Sequence, residues 1–311
     1  MKKVLFLSRR PLGRAENITA VYEAYDGEKE FIQEIWKDPD PRIFADDIAV
    51  IVTDEFISYS PGKQILIGHA MSGGKSYGLD QPNRYYKRKD AHLITWAVCT
   101  SKDTIALTAR QSGISKDKIL PLGMPRTDAY FGKKKGDGGT ILAGKRAYLF
   151  CPTFRGRGEP PMPKYDWKYL DALLHDDELF VVKPHMVTKT ILTQEYKHII
   201  QVSSNEPSTP YLIDCDVLIT DYSSIVFDGH MLGKPVVLWE KLAGFAKRRG
   251  LYFDYPKGYA SRYAVSEDDL LRVIREADAP GKEDLLCKER ACGACDGHST
   301  ERVVELIRSC L

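Results

Sequence analysis

Asp216 to Asp228 reads DVLITDYSSIVFD, and this stretch decides the fold. Val217 to Ile219 is a short, unbroken apolar run, the pattern of a strand buried on both faces of a parallel sheet. The chain turns through Asp221 and Tyr222 and presents Ser223 and Ser224 where a helix starts. A helix start aims free backbone N–H groups at one point, which suits an anion such as a diphosphate. A serine there also serves as an ordinary helix cap, and spacing alone leaves both readings open.

Outward from this stretch, the second half repeats the pattern. Apolar runs at Ala147 to Cys151, Phe180 to Val182, Ile199 to Val202 and Pro235 to Leu238 each lead into a polar loop. In an open parallel sheet such loops gather at the carboxyl ends of the strands, where ligands bind. They supply Thr153 and Arg155 from CPTFR, and Lys183 and His185 from KPH. Arginine can hold phosphate oxygens in a fork, and a protonated histidine can donate to a developing leaving group. Helices are predicted from Ser266 to Ala277 and from Ser299 to Ile307, the latter capped by Ser299 or Thr300.

The first half has the same alternation, with strands expected at Val4 to Leu7, Ile48 to Val52, Gln64 to Ile67, Leu93 to Val98 and Ile119 to Leu122. GKKKGDGGTILAG, residues 132–144, reads as a linker. No internal repeat and no low-complexity tract is visible. GHAMSGGKSYG, residues 68–78, invites comparison with a phosphate loop, but His69 stands where that pattern needs its first glycine. His69, exposed at a strand end, is instead a candidate base toward an attacking hydroxyl.

Lys and Arg total 45 against 43 for Asp and Glu, a formal charge of +2 that carries no signature of a nucleic-acid binder. The apolar run after Lys2 and Lys3 ends before Arg9, which reads as a first strand rather than an export signal, and no run is long enough to span a bilayer. A cytoplasmic protein with at most peripheral membrane contact is expected, with its seven cysteines reduced. Cys292 and Cys295 have the spacing of zinc or redox pairs but read better as unligated thiols in a surface segment. Asp214-Cys215-Asp216 looks like a metal-binding acidic pair but ends one element and opens the next, so a structural role is preferred. No other cluster has metal-ligand spacing.

LGMPRTDAYF, CPTFR, KPH and DVLITDYSSIVFD, in this order along the chain, resemble the CDP-glycerol glycerophosphotransferase family, which builds teichoic acids. The resemblance runs from His69 to DGHSTERVVELI, which looks like that family's closing helix. It implies a GT-B architecture: α/β, two Rossmann-like doubly wound parallel-sheet domains facing across a cleft. The expected division is an acceptor-side domain over 1–135, a nucleotide-donor domain over 136–298 and a closing helix over 299–311. The activity implied is transfer of glycerol phosphate or a related phosphoalditol from CDP-glycerol to a polymer or lipid-linked acceptor, with release of CMP.

The same resemblance makes His69 and His185 catalytic. It sets Thr153, Arg155, Ser223, Ser224 and Asp228 around the donor and matches Arg126 and Asp128 to a family segment leading into the linker; Arg126, and Lys183 of the KPH loop, are counted with the donor-binding residues. No essential metal or cofactor is implied. Ala70 and the run Met71 to Gly74 depart from the family pattern at the acceptor-side loop, and no tyrosine follows the Pro235 to Trp239 strand at once. The lack of a long accessory stretch suggests a stand-alone transferase or primer enzyme. The competing readings are a GT-B glycosyltransferase using a nucleotide-diphosphate sugar, and a nucleotide-binding protein of this fold without turnover.

Overall fold

Apolar runs bounded by turn residues became strands wherever the sequence predicted them, to within two residues. A computed structural model describes the chain except for residues 1, 34–39, 55–61, 69–72, 75–87, 143, 156–160, 189 and 242–249 and the side chains of 88–90. The described chain divides into two compact units, Met1–Phe131 with Glu289–Leu311, and Gly132–Lys288.

The first unit holds six strands, β1 (Lys3–Ser8), β2 (Lys29–Gln33), β3 (Ile48–Thr53), β4 (Lys63–Leu66), β5 (Ile94–Val98) and β6 (Ile119–Leu120). They lie in the order β2-β1-β3-β4-β5-β6 and all pair in parallel. Strand β2, KEFIQ, escaped the sequence reading because an edge strand buries little: of its five residues only Ile32 is fully buried. The helix Glu16–Ala24 covers one face through Ile18 and Val21.

The second unit repeats the plan with β7 (Arg146–Cys151), β8 (Glu178–Val182), β9 (Ile199–Gln201), β10 (Val217–Thr220), β11 (Val236–Trp239) and β12 (Arg262–Ala264). Their order is β12-β11-β10-β7-β8-β9, again all parallel. All four residues of β10 are buried, as its unbroken apolar run requires. The core beneath it is aromatic: Phe150 meets Trp239 at 5.2 Å and Tyr165 edge-on at 5.4 Å between ring centroids.

In each unit the strand order reverses once, between β1 and β3 and between β7 and β10. The two reversals share one device. Asp54, directly after β3, accepts a hydrogen bond from Ser8 Oγ at the end of β1 (3.1 Å), and Asp221, directly after β10, accepts one from the Thr153 amide beyond β7 (2.8 Å).

Three expectations are corrected. The first unit closes at Phe131, four residues before the boundary expected at 135, and it takes back residues 289–311, which were assigned to the second domain and to a separate closing helix. The reason is packing: Val303, Val304, Ile307 and Cys310 complete the core built by Val4, Phe6, Ile18 and Val50. The helix runs Ser299–Cys310, and neither Ser299 nor Thr300 caps it with a side chain; Asp128 does so from a distant loop, accepting from the amides of Ser299 (3.1 Å) and Thr300 (2.7 Å). Cys287, Cys292 and Cys295 are all buried rather than in a surface segment, because residues 291–294 are knitted to the end of β5, with Ala294 N donating to Thr100 O at 2.9 Å. Burial pushes the Cys295 thiol up to about 11.

The predicted linker is not loose. Asp214, ending the helix Thr209–Asp214, accepts from the amides of Gly136, Gly138 and Thr140 at 2.8–2.9 Å, and Asp216 takes the Lys135 ammonium at 2.6 Å. A side chain at Gly138 would collide with Pro210 O at 2.2 Å, so only glycine passes there. These bonds give both aspartates the structural role the sequence favoured.

Candidate functional site

The switch point of the second unit assembles most of the predicted residues. Beyond β7 the chain runs Pro152-Thr153-Phe154-Arg155, and beyond β10 it runs Asp221-Tyr222-Ser223-Ser224. Asp221 joins the two loops: one oxygen accepts from the amides of Thr153 (2.8 Å) and Tyr222 (2.6 Å), and the other from Arg155 Nη2 (3.0 Å). The aspartate is 3% exposed and the Arg155 side chain 9%, so this is a nearly dry ion pair whose geometry is held tightly. The Arg155 guanidinium lies 5.9 Å from the centre of the Tyr222 ring. Tyr222 is itself anchored, donating to Glu240 at 2.6 Å, and Tyr263 donates to the other Glu240 oxygen at 2.7 Å. Burial and that bond together push the Tyr222 phenol well above the ordinary tyrosine range.

Ser223 and Ser224 open the helix Ile225–Met231. Ser224 occupies the cap position but makes no capping bond through its side chain, and Ser223 Oγ accepts from the Ile225 amide at a long 3.4 Å. Capping therefore explains little of the serine pair. Thr153 Oγ1 is buried and has no hydrogen-bond partner among the described residues, a costly condition for a hydroxyl. Asp228, one turn into the same helix, is buried.

Strand β8, beside β7, delivers the KPH loop. His185 Nδ1 accepts from the Val187 amide at 3.3 Å, which puts the ring proton of the neutral tautomer on Nε2. The ring stacks on Phe154 from the β7 loop, 4.5 Å between centroids, and this contact ties the two loops. Lys183 behaves otherwise. Its ammonium is buried against the carbonyls of Pro184 (3.3 Å) and Ser204 (3.4 Å), and burial lowers its pKa.

Arg126 lies in the first unit, in the 3₁₀ turn Pro125–Tyr130, where its guanidinium meets Tyr130 OH at 2.8 Å and Glu16 at 3.8 Å. Asp128 is committed to the closing helix. His69, with Ala70 and Met71, lies outside the described residues, as do Lys75 and Ser76 of the compared phosphate loop. Among the described residues no group of three or more His, Cys, Asp or Glu could hold a metal ion.

Sequence reading passed over two residues that organise these loops. Asp221 was seen only as a turn residue; the signal lay in the matched strings Val52-Thr53-Asp54 and Ile219-Thr220-Asp221, each an aspartate directly after a strand at a switch point. Asn17 gave no signal, because its partners are 51 and 109 residues away.

Two parallel six-stranded α/β units with phosphate-suited loops at the carboxyl edge define a GT-B protein, and solved structures bear this out. A structure of the wall teichoic acid polymerase TagF matches with a TM-score of 0.76 at 16% identity, covering 99% of this chain and 88% of that one. A UDP-bound structure of S. aureus MnaA matches with a TM-score of 0.60 at 12% identity, over 99% and 96% of the two chains. The chain belongs to the CDP-glycerol:poly(glycerophosphate) glycerophosphotransferase family, whose profile matches residues 48–309. It is 25% identical over 285 residues to the teichoic acid ribitol-phosphate polymerase TarK of Staphylococcus aureus (strain NCTC 8325 / PS 47), covering 85% of this chain and 55% of that protein. It is 24% identical over 280 residues to the teichoic acid glycerol-phosphate primase of Bacillus subtilis (strain 168), covering 84% and 73%. The chain spans about half the length of the first of these curated relatives.

Proposed function

We propose that the protein transfers glycerol phosphate, or a related phosphoalditol, from its CDP-activated form to a hydroxyl of a teichoic acid acceptor. The observation that carries this reading is the Asp221 clamp, which holds Arg155 and the Thr153 loop beside the two serines at the switch point of a family member. Arg155, Ser223, Ser224 and the Thr153 hydroxyl, which has no partner among the described residues, offer donors suited to the donor diphosphate. Lys183, whose ammonium is held by backbone carbonyls, Asp228 and Arg126 complete the proposed donor set.

In the transfer the acceptor hydroxyl oxygen forms a bond to the phosphorus bearing the alditol. The bond from that phosphorus to the bridging oxygen breaks, and CMP leaves with that oxygen. His69 takes the hydroxyl proton, and His185 donates a hydrogen bond from Nε2 to the leaving phosphate. Positive charge aimed at the leaving group stabilises the transition state, so we expect no essential metal or cofactor.

No helix among the described residues is long and apolar enough to cross a membrane. We propose a cytoplasmic location, with peripheral contact at the inner membrane face where a lipid-linked acceptor would be met.

Mass spectrometry of reactions with CDP-glycerol, CDP-ribitol and UDP-sugars tests the donor. CMP release with growth of the acceptor by one phosphoalditol is expected, in chelator as well as without it. Turnover of a UDP-sugar alone would favour the glycosyltransferase reading and overturn this one.

A further inference from the structure

Asn17 is the second residue of the helix Glu16–Ala24 and is 2% exposed. A primary amide has one accepting oxygen and two N–H donors, and here all three are engaged. Nδ2 donates to Gly68 O at 3.1 Å and to Met124 Sδ at 2.8 Å, while Oδ1 accepts from the Arg126 amide at 3.0 Å. These partners come from two other strand ends. Gly68 follows β4, in a left-handed conformation (φ 67°) that favours glycine, and Met124 and Arg126 follow β6.

The Arg126 amide is one of the first N–H groups of the turn Pro125–Tyr130, which has no cap from its own Met124. Asn17 therefore caps that turn from a distant element, while its other end fixes the carbonyl of the residue directly before His69. One buried amide sets the spacing between the three loops at the carboxyl edge of the first sheet. We infer that Asn17 is a positioning residue for the acceptor-side half of the reaction, acting through the β4 end that leads into His69 and through the Arg126 turn. This rests on the proposed role of His69 as the base.

Asn17→Asp keeps the shape and the oxygen facing Arg126 but replaces the donor to Gly68 with an oxygen that repels the carbonyl. With CDP-glycerol and poly(glycerol phosphate) as substrates, kcat is expected to fall by about 100-fold, the usual effect of a displacement of about 1 Å in a reacting group. The KM for CDP-glycerol should stay within about twofold, because the variant keeps the bond to the Arg126 amide and the Asp221 clamp lies in the second unit; a general loss of structure would not spare it. Hydrogen exchange should speed up in peptides covering 66–68 and not in those covering 124–127, while Asn17→Ala should loosen both.

Near-normal kcat in a folded Asn17→Asp beside an inactive His69→Ala would overturn the positioning role alone. Full turnover in His69→Ala would overturn the assignment of the base instead. If neither variant folds, exchange in the wild-type chain decides: an Arg126 amide exchanging at the unfolded-chain rate rules out the hold. Without turnover on these substrates, the same exchange comparison judges Asn17 and the donor reading fails separately.

Discussion

Asp221 and Arg155 form a buried pair at 3.0 Å, and the same carboxylate orders the β7 loop through the Thr153 amide at 2.8 Å. Since each strand end is fixed by the sheet, the pair locks a guanidinium at the mouth of the switch point. A preset cation is worth more than a mobile one because it needs no reorganisation when charge develops.

Replacing Asp221 with Asn should therefore lower kcat/KM for the CDP-alditol by about 10–100-fold, the worth of a charge-assisted hydrogen bond. Arg155→Lys should do comparable harm, because an ammonium cannot reproduce the fork. The double variant should be little worse than either single one, as expected for contacting partners. Strict additivity in a steady-state double-mutant cycle would show that the two residues act separately.

The serine pair makes a sharper claim. With so little capping bonding to lose, Ser223→Ala/Ser224→Ala should cost under about 1 kcal/mol of stability, yet reduce CDP-glycerol affinity by about tenfold or more. Calorimetric titration and thermal melts on the same preparation separate the two. Unchanged affinity would return the serines to a purely structural role.

The two histidines should fail differently. His69→Ala should keep donor binding and lose about two to four orders of magnitude in transfer, the usual worth of a positioned base. His185→Ala should harm the leaving-group step and weaken donor binding too, since its ring packs on Phe154 of the clamp loop. Single-turnover kinetics at saturating donor distinguish these patterns, and identical defects would remove the division of labour.

A pH test addresses the second unit's framework. Burial alone would raise the carboxyl pKa of Glu178, but the Arg275 guanidinium (2.7 Å), the Tyr148 hydroxyl (2.6 Å) and the His175 amide outweigh it and hold the group down to about 2. A carboxylate lowered on folding stabilises fully above its unfolded value, near 4.5, and that contribution is lost as pH falls toward about 2. Glu178→Gln should be less stable than wild type by at least about 2 kcal/mol at pH 6, with the gap narrowing between pH 4.5 and 2. Urea denaturation across this range measures it, and a gap independent of pH would mean the charge is not what matters.

By itself the sequence determined the strands that are buried on both faces, because an apolar run bounded by turn residues has few other ways to shed water. It also singled out the loops proposed to hold phosphate: Thr153, Arg155, Ser223 and Ser224 stand at predicted strand ends, and Asp221, two residues before Ser223, bonds to Thr153 and Arg155. The edge strands β2 and β12 stayed hidden, since half-exposed strands need no apolar signature. What only the tertiary structure decided were the bonds between residues far apart in the chain. Asp221 as clamp, Asp128 as cap of the closing helix, Asp214 as anchor of the glycine-rich turns and Asn17 as a three-way bridge all use one polar side chain to satisfy distant backbone groups. Such a residue looks like any turn aspartate or surface asparagine until folding brings its partners within about 3 Å and removes the water that would otherwise compete for them.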